Sequence, residues 1–96
     1  MITHVVMFKL KDNSKENVQK AKEVLMSMDG KVEQLRHLEV GIDVLHSERS
    51  YDIVLITKFD SMKDLDAYQE HPYHVEVVKK HMHSVRESSV AVDFEC

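Results

Sequence analysis

Two segments of this chain are apolar on both faces of an extended strand, and that fact restricts the fold more than any other. In Ile2–Leu10, His4, Val6, Phe8 and Leu10 alternate with Val5 and Met7. Residues 52–59 carry the run Ile53-Val54-Leu55-Ile56, again apolar on either side. Strands of this kind belong in the middle of a sheet covered on both faces. The chain has 96 residues, enough for a single core and one domain, 1–96.

The remaining segments supply the covers and the edges. Asn13 with Glu16 forms a capping box, and Val18, Ala21, Leu25, Met28 and Val32 then step by three and four. That spacing predicts an amphipathic helix ending near Gly30. Residues 37–46 alternate, with Leu38, Val40, Ile42 and Val44 on one side, as a half-exposed strand does. Ser61 with Asp64 opens a short helix to about Glu70. His71-Pro72 interrupts it, because proline disfavours helical backbone at the residue before it but suits the first turn of a new helix. The new helix, 72–84, places Val75, Val78, Met82 and Val85 on one stripe. A last strand, 88–95, sets Val90, Val92 and Phe94 on one face and Ala91 and Asp93 on the other.

The order is β-α-β-β-α-β, an α+β ferredoxin-like subunit with a four-stranded antiparallel sheet whose first and third strands are central. Both helices then lie on one side of the sheet. The helix-free side is expected to carry Val6 and Phe8 with Val90, Val92 and Phe94, and His4 would share it. So large an apolar patch calls for a partner. The expected partner is a second copy, sheet against sheet, giving a homodimeric α/β barrel.

Several function classes drop out. With 13 basic against 17 acidic residues and a net charge of −4, the chain lacks the basic face of a nucleic-acid binder or of a membrane-surface helix. Six aromatics and no tryptophan make a poor base-stacking platform. The longest apolar run is four residues, and no leader precedes the first strand, so a cytoplasmic location is expected. Cys96 cannot form an internal disulfide. There is no phosphate loop, nucleophile elbow or zinc signature.

What stands out is seven histidines. His71, His74 and His81 fall near one helical stripe, but Lys79, Lys80 and Arg86 lie among them and repel a cation. No metal is expected. His71 and Pro72 read as a structural junction, and His37, His46, His81 and His83 as surface residues.

Three segments together resemble a known family: Thr3-His4-Val5-Val6-Met7-Phe8-Lys9-Leu10-Lys11, Ser50–Leu55 running into Phe59-Asp60-Ser61, and Ala67-Tyr68-Gln69-Glu70-His71-Pro72-Tyr73-His74. They look like the stress-responsive A/B barrel (Dabb) domain, over essentially the whole chain. The resemblance implies a dimeric α+β barrel with no cofactor. One plant polyketide cyclase that the chain resembles closes a poly-β-ketone by an aldol step. Its pocket histidine, the tyrosine six residues earlier and a first-strand histidine match His74, Tyr68 and His4. The rest of its pocket has no counterpart here, so its substrate does not carry over.

Such a trio suits enolisation of a carbonyl compound. His74 is the expected base, kept neutral by the dipole of the helix it opens. Tyr68 would anchor the carbonyl oxygen, and His4 and Val6 would line the pocket. Two functions therefore stand side by side. One is a small-molecule pocket for a carbonyl or polyketide-like ligand, with cofactor-independent cyclase or isomerase chemistry. The other is a non-catalytic stress-associated dimeric barrel in which the histidine and tyrosine hold the helix junction together.

Overall fold

The structure, a computed structural model, describes residues 1–95; Cys96 lies outside them. Strand β1 (Ile2–Leu10) leads to helix α1 (Lys15–Met26), then to β2 (His37–Ile42) and β3 (Ile53–Phe59). Helix α2 (Met62–Glu70) follows. A π-helical segment, His74–Lys79, runs into α3 (Lys80–Val85), and β4 (Arg86–Glu95) follows. The sheet order is β2-β3-β1-β4, all antiparallel. This is the ferredoxin-like arrangement, with the two doubly apolar strands central. Among the described residues, no helix is long and apolar enough to cross a membrane.

The register assigns the faces, and it reverses one expectation. Cross-strand partners share a face. His4 pairs with Thr57 and Asp93, Val6 with Leu55 and Ala91, and Phe8 with Ile53 and Ser89. Ile53, Leu55, Thr57 and Phe8 are buried under the helices. Val6, Phe8 and His4 therefore face the helices, not the open side. The open face carries instead Val5 and Met7, beside Val54 and Ile56 on β3 and Val90 and Val92 on β4. Alternation alone fixes which residues share a face; it does not say which face the helices take.

The helix side is filled by Val18, Ala21 and Leu25 of α1, with Met28 and Val32 from the turns beyond it. Leu65, Tyr68, Val78 and Met82 complete that layer from the second half of the chain. The cap of α1 is Ser14, whose hydroxyl accepts from the Asn17 amide at 3.3 Å, one residue later than the expected Asn13. Asn13 turns away to donate to Asp52 at 3.3 Å. Gly30 sits at φ +77°, in the turn after the helix rather than at its cap. Strand β2 ends at Ile42, four residues earlier than expected, and Val44 and Leu45 are exposed.

The last helical stretch also departs from the expected stripe. Val75 is exposed, while His74, Val78 and Met82 are buried. His74, Val78 and Met82 stand four apart, a spacing that shares a helical face as well as the Val75, Val78, Met82 stripe does, and the docking of the stretch selects the line through His74.

Replacing Ser14 by alanine should remove the first-turn acceptor and cost about 1 kcal/mol, a fall of roughly 4–8 °C in Tm. Asn13→Ala should cost less in the same thermal melt, since its bond is exposed.

Candidate functional site

Tyr68 lies at the centre of the site. It occupies the last full turn of α2, which Ser61 caps through its hydroxyl and the Asp64 amide, 3.2 Å. Leu65 and Tyr68, three residues apart, point inward together. The Tyr68 ring is fully buried. It packs tilted on Phe59 at 4.8 Å between centroids and on His74 at 4.3 Å, and meets His4 edge-on at 6.2 Å. Its hydroxyl has no hydrogen-bond partner within the protein. A buried hydroxyl left without a partner costs on the order of 1–3 kcal/mol.

The three pocket residues come from three elements. The break at His71-Pro72 brings His74 back over Tyr68. The His71 amide closes α2 on the Tyr68 carbonyl at 3.2 Å. The His71 ring Nδ1 accepts from the Tyr73 amide at 3.1 Å, and the Tyr73 hydroxyl donates to Ser27 at 2.7 Å. His71 and Pro72 thus sit at the turn between the two helical stretches, which Tyr73 ties to the end of α1. His4 approaches from β1 below, with its Nδ1 against the Asp93 carboxylate of β4.

Burial sets the protonation of the site. It holds the Tyr68 hydroxyl well above its usual range, so the group stays a proton donor. His74 is lowered to about 4. Burial is the main cause, with the nearby Lys79, His4 and His71 adding to it and the Gln69 carbonyl opposing. The residue is the third of the helical stretch that begins at Pro72, as expected, and desolvation is the largest cause of its shift. His74 Nδ1 donates to the Gln69 carbonyl at 3.4 Å, which leaves Nε2 as the basic nitrogen.

These side chains open onto a cavity of about 200 Å³ between the sheet and the helices. His4, Val6, Tyr68 and His74 all line it, so the four residues singled out in the sequence as lining a pocket come together there. Apolar walls come from Phe8, Leu25, Leu55, Val78 and Met82. Asp93, the partner of His4, and Gln69, which orients His74, were not visible in the sequence. The first depends on strand register and the second on a backbone atom.

The other histidines separate. His37, His46 and His83 are exposed, and His46 adopts a left-handed φ of 57° in the β2–β3 connection. His81 was expected at the surface, but it is half-buried and its Nε2 is enclosed without a partner. Among the described residues, no group of three or more potential metal ligands converges.

A histidine with a folded value near 4 and an ordinary value of 6.5 takes up a proton more readily when unfolded. Its contribution to stability is therefore complete above about pH 6.5 and falls as pH drops towards 4. NMR titration of the His74 ring should give a midpoint near 4, and a midpoint at the ordinary value would contradict its burial. His74→Gln should flatten the fall in thermal stability over that window.

The fold and the sequence both have relatives. The family model for the Stress responsive A/B Barrel Domain matches residues 2–96. The chain is 36% identical over 99 residues to the Stress-response A/B barrel domain-containing protein DABB1 of Arabidopsis thaliana, covering 98% of the chain and 46% of that protein. It is 30% identical to a second Stress-response A/B barrel domain-containing protein of the same plant, covering 98% of the chain and 36% of that protein. The chain thus spans less than half the length of these curated relatives. A dimeric ferredoxin-like protein of unknown function from Bacteroides fragilis superposes with a TM-score of 0.85 at 31% identity, over 99% of this chain and 95% of that one. A hydroxynitrile lyase from Passiflora edulis shares the fold alone, with a TM-score of 0.81 at 14% identity over 97% and 90% of the two chains. By its match across residues 2–96 and by these relatives, the chain belongs to the stress responsive A/B barrel domain family.

Proposed function

We propose that this domain binds a small carbonyl compound in the cavity under its helices and enolises it without a cofactor. The observation that carries this reading is the buried Tyr68 hydroxyl, unpartnered within the protein and set beside a neutral histidine. In this reading His74 Nε2 removes a proton from the carbon next to the carbonyl. The C–H electron pair moves into the C–C bond, and the carbonyl π pair moves onto oxygen, which accepts a hydrogen bond from Tyr68. The proton then returns from His74 to the same carbon or to another, giving exchange or isomerisation. An internal electrophile meeting the enolate would instead close a ring. His4, held by Asp93, keeps the far side of the Tyr68 ring in place.

A cavity of about 200 Å³ is smaller than the roughly 300–1,000 Å³ of drug-sized pockets, which favours a compact ligand. In deuterated buffer the protein should exchange the α-hydrogens of small 1,3-dicarbonyl compounds well above background. Tyr68→Phe should slow this by on the order of 10²-fold, the usual effect of losing one such donor. Exchange at the background rate, or undiminished exchange by a His74→Ala protein, would overturn the reading.

A second reading, assembly, rests on the open face of the sheet. Met7, Val90, Val92 and Phe94 are exposed there, with Phe94 at 47% and Val92 at 60%. The Bacteroides fragilis relative is described as dimeric, and a sheet-to-sheet homodimer would cover these side chains. Light scattering should give twice the chain mass. Val92→Asp with Phe94→Asp should halve it, because two buried carboxylates per protomer cannot be desolvated without partners.

A further inference from the structure

Two irregularities of the backbone meet at the mouth of the cavity, and each places a cation there. The first is the π-helical segment. In an α-helix, residues five apart diverge by about 140° around the axis. With hydrogen bonds to the fifth residue, the wider turn brings them back towards one side. His74 and Lys79, the first and last residues of the segment, accordingly line the same cavity.

The second irregularity is the shift in register between β1 and β4. Lys9 pairs with Ser88, but Leu10 pairs with Arg86, so Glu87 is passed over. Without the shift, Glu87 would stand opposite Leu10 on the helix side. With it, Arg86 takes that place, and a positive side chain replaces a negative one at the cavity. Exposed His83 and Ser89 complete the mouth.

The charge in the lining is therefore of one sign. Lys79 and Arg86 line the cavity together with His83, and no carboxylate does. In a chain with more acidic than basic residues, this is a local reversal of sign. Among the described residues, neither Lys79 nor Arg86 has an ion-pair partner. Both are half-buried, where a charge is screened less than on an open surface. The buried Tyr68 hydroxyl and His74 line the same cavity among apolar walls.

We infer that the ligand is a small carboxylic acid, held with its carboxylate between Lys79 and Arg86 and its apolar body or carbonyl towards Tyr68. This rests on the pocket reading above but concerns binding alone. An arginine matches a carboxylate with two parallel hydrogen bonds, and the lysine adds a point charge. A neutral isostere forfeits both.

The test is a titration with benzoate and with benzamide, its uncharged isostere, followed by the NMR signals of the His74 ring. Benzoate should bind about tenfold or more tightly than benzamide, with the ratio shrinking as salt is raised. In Lys79→Gln/Arg86→Gln the ratio should approach one. Equal affinities, no saturable binding of either compound, or a ratio that survives the double substitution would overturn the inference. The salt dependence of the unaltered protein keeps the test decisive if the double variant folds poorly. The reaction fails separately. Benzoate binding without α-hydrogen exchange would refute enolisation and leave the carboxylate site standing. Exchange into neutral diketones without a preference for benzoate would do the reverse.

Discussion

Strand β1 is held between β3 and β4 from Ile2 to Phe8, and the pairing on its two sides sets everything above it. On one side it aligns Ile2 through Phe8 with Phe59 through Ile53; on the other it runs from Glu95 back to Arg86. A slip of one residue on either side would exchange the two faces of a strand. The apolar floor of the core would turn outwards and the open face would turn in. His4 meets Asp93 only because the register makes them direct partners, and Tyr68 finds His4 beneath it for the same reason. The helices then cover whatever this three-strand alignment presents.

The chemistry of the site follows from one physical cause acting on two different groups. Withdrawal from water disfavours the charged form of each. It drives the imidazole of His74 towards the neutral base and the phenol of Tyr68 towards the neutral acid. A base and a hydrogen-bond donor thus coexist, ring against ring, without neutralising one another. The carbonyl of Gln69 adds direction by fixing which imidazole nitrogen carries the proton. Neither group is tuned by an ion pair, so the site depends on exclusion of water more than on charge.

Much of this was legible in the residues. Doubly apolar strands announced the middle of a sheet, and capping at Ser61 and the break at Pro72 located the helical stretches around Tyr68 and His74. His4, Tyr68 and His74 are paired by a family resemblance of the sequence. Other features were hidden for definite reasons. The face taken by Val6 and Phe8 depends on where the helices dock, which alternation does not encode. Asp93 required a register, and registers arise from pairing two distant segments. His74 shares a face with Val78 and Met82 at intervals of four, and choosing that line over the one through Val75 depends on how the helix docks. The cap moved from Asn13 to Ser14 because Asp52, nearly forty residues away, binds the asparagine. Each of these depends on a long-range partner or on how an element docks, and the π-helical stretch is a further departure from ideal periodicity.

That departure has a consequence for how the site and the fold can be inherited. A π-helical stretch is what an α-helix becomes when it accommodates an additional residue without lengthening its ends. Removing one residue between Pro72 and Lys80 would let the whole stretch return to the ordinary period, with β4 still entering the sheet at its present place. With one residue fewer between them, His74 and Lys79 would stand four apart in an ordinary helix and would still share a face. The juxtaposition of histidine and lysine is therefore compatible with either form of the helix.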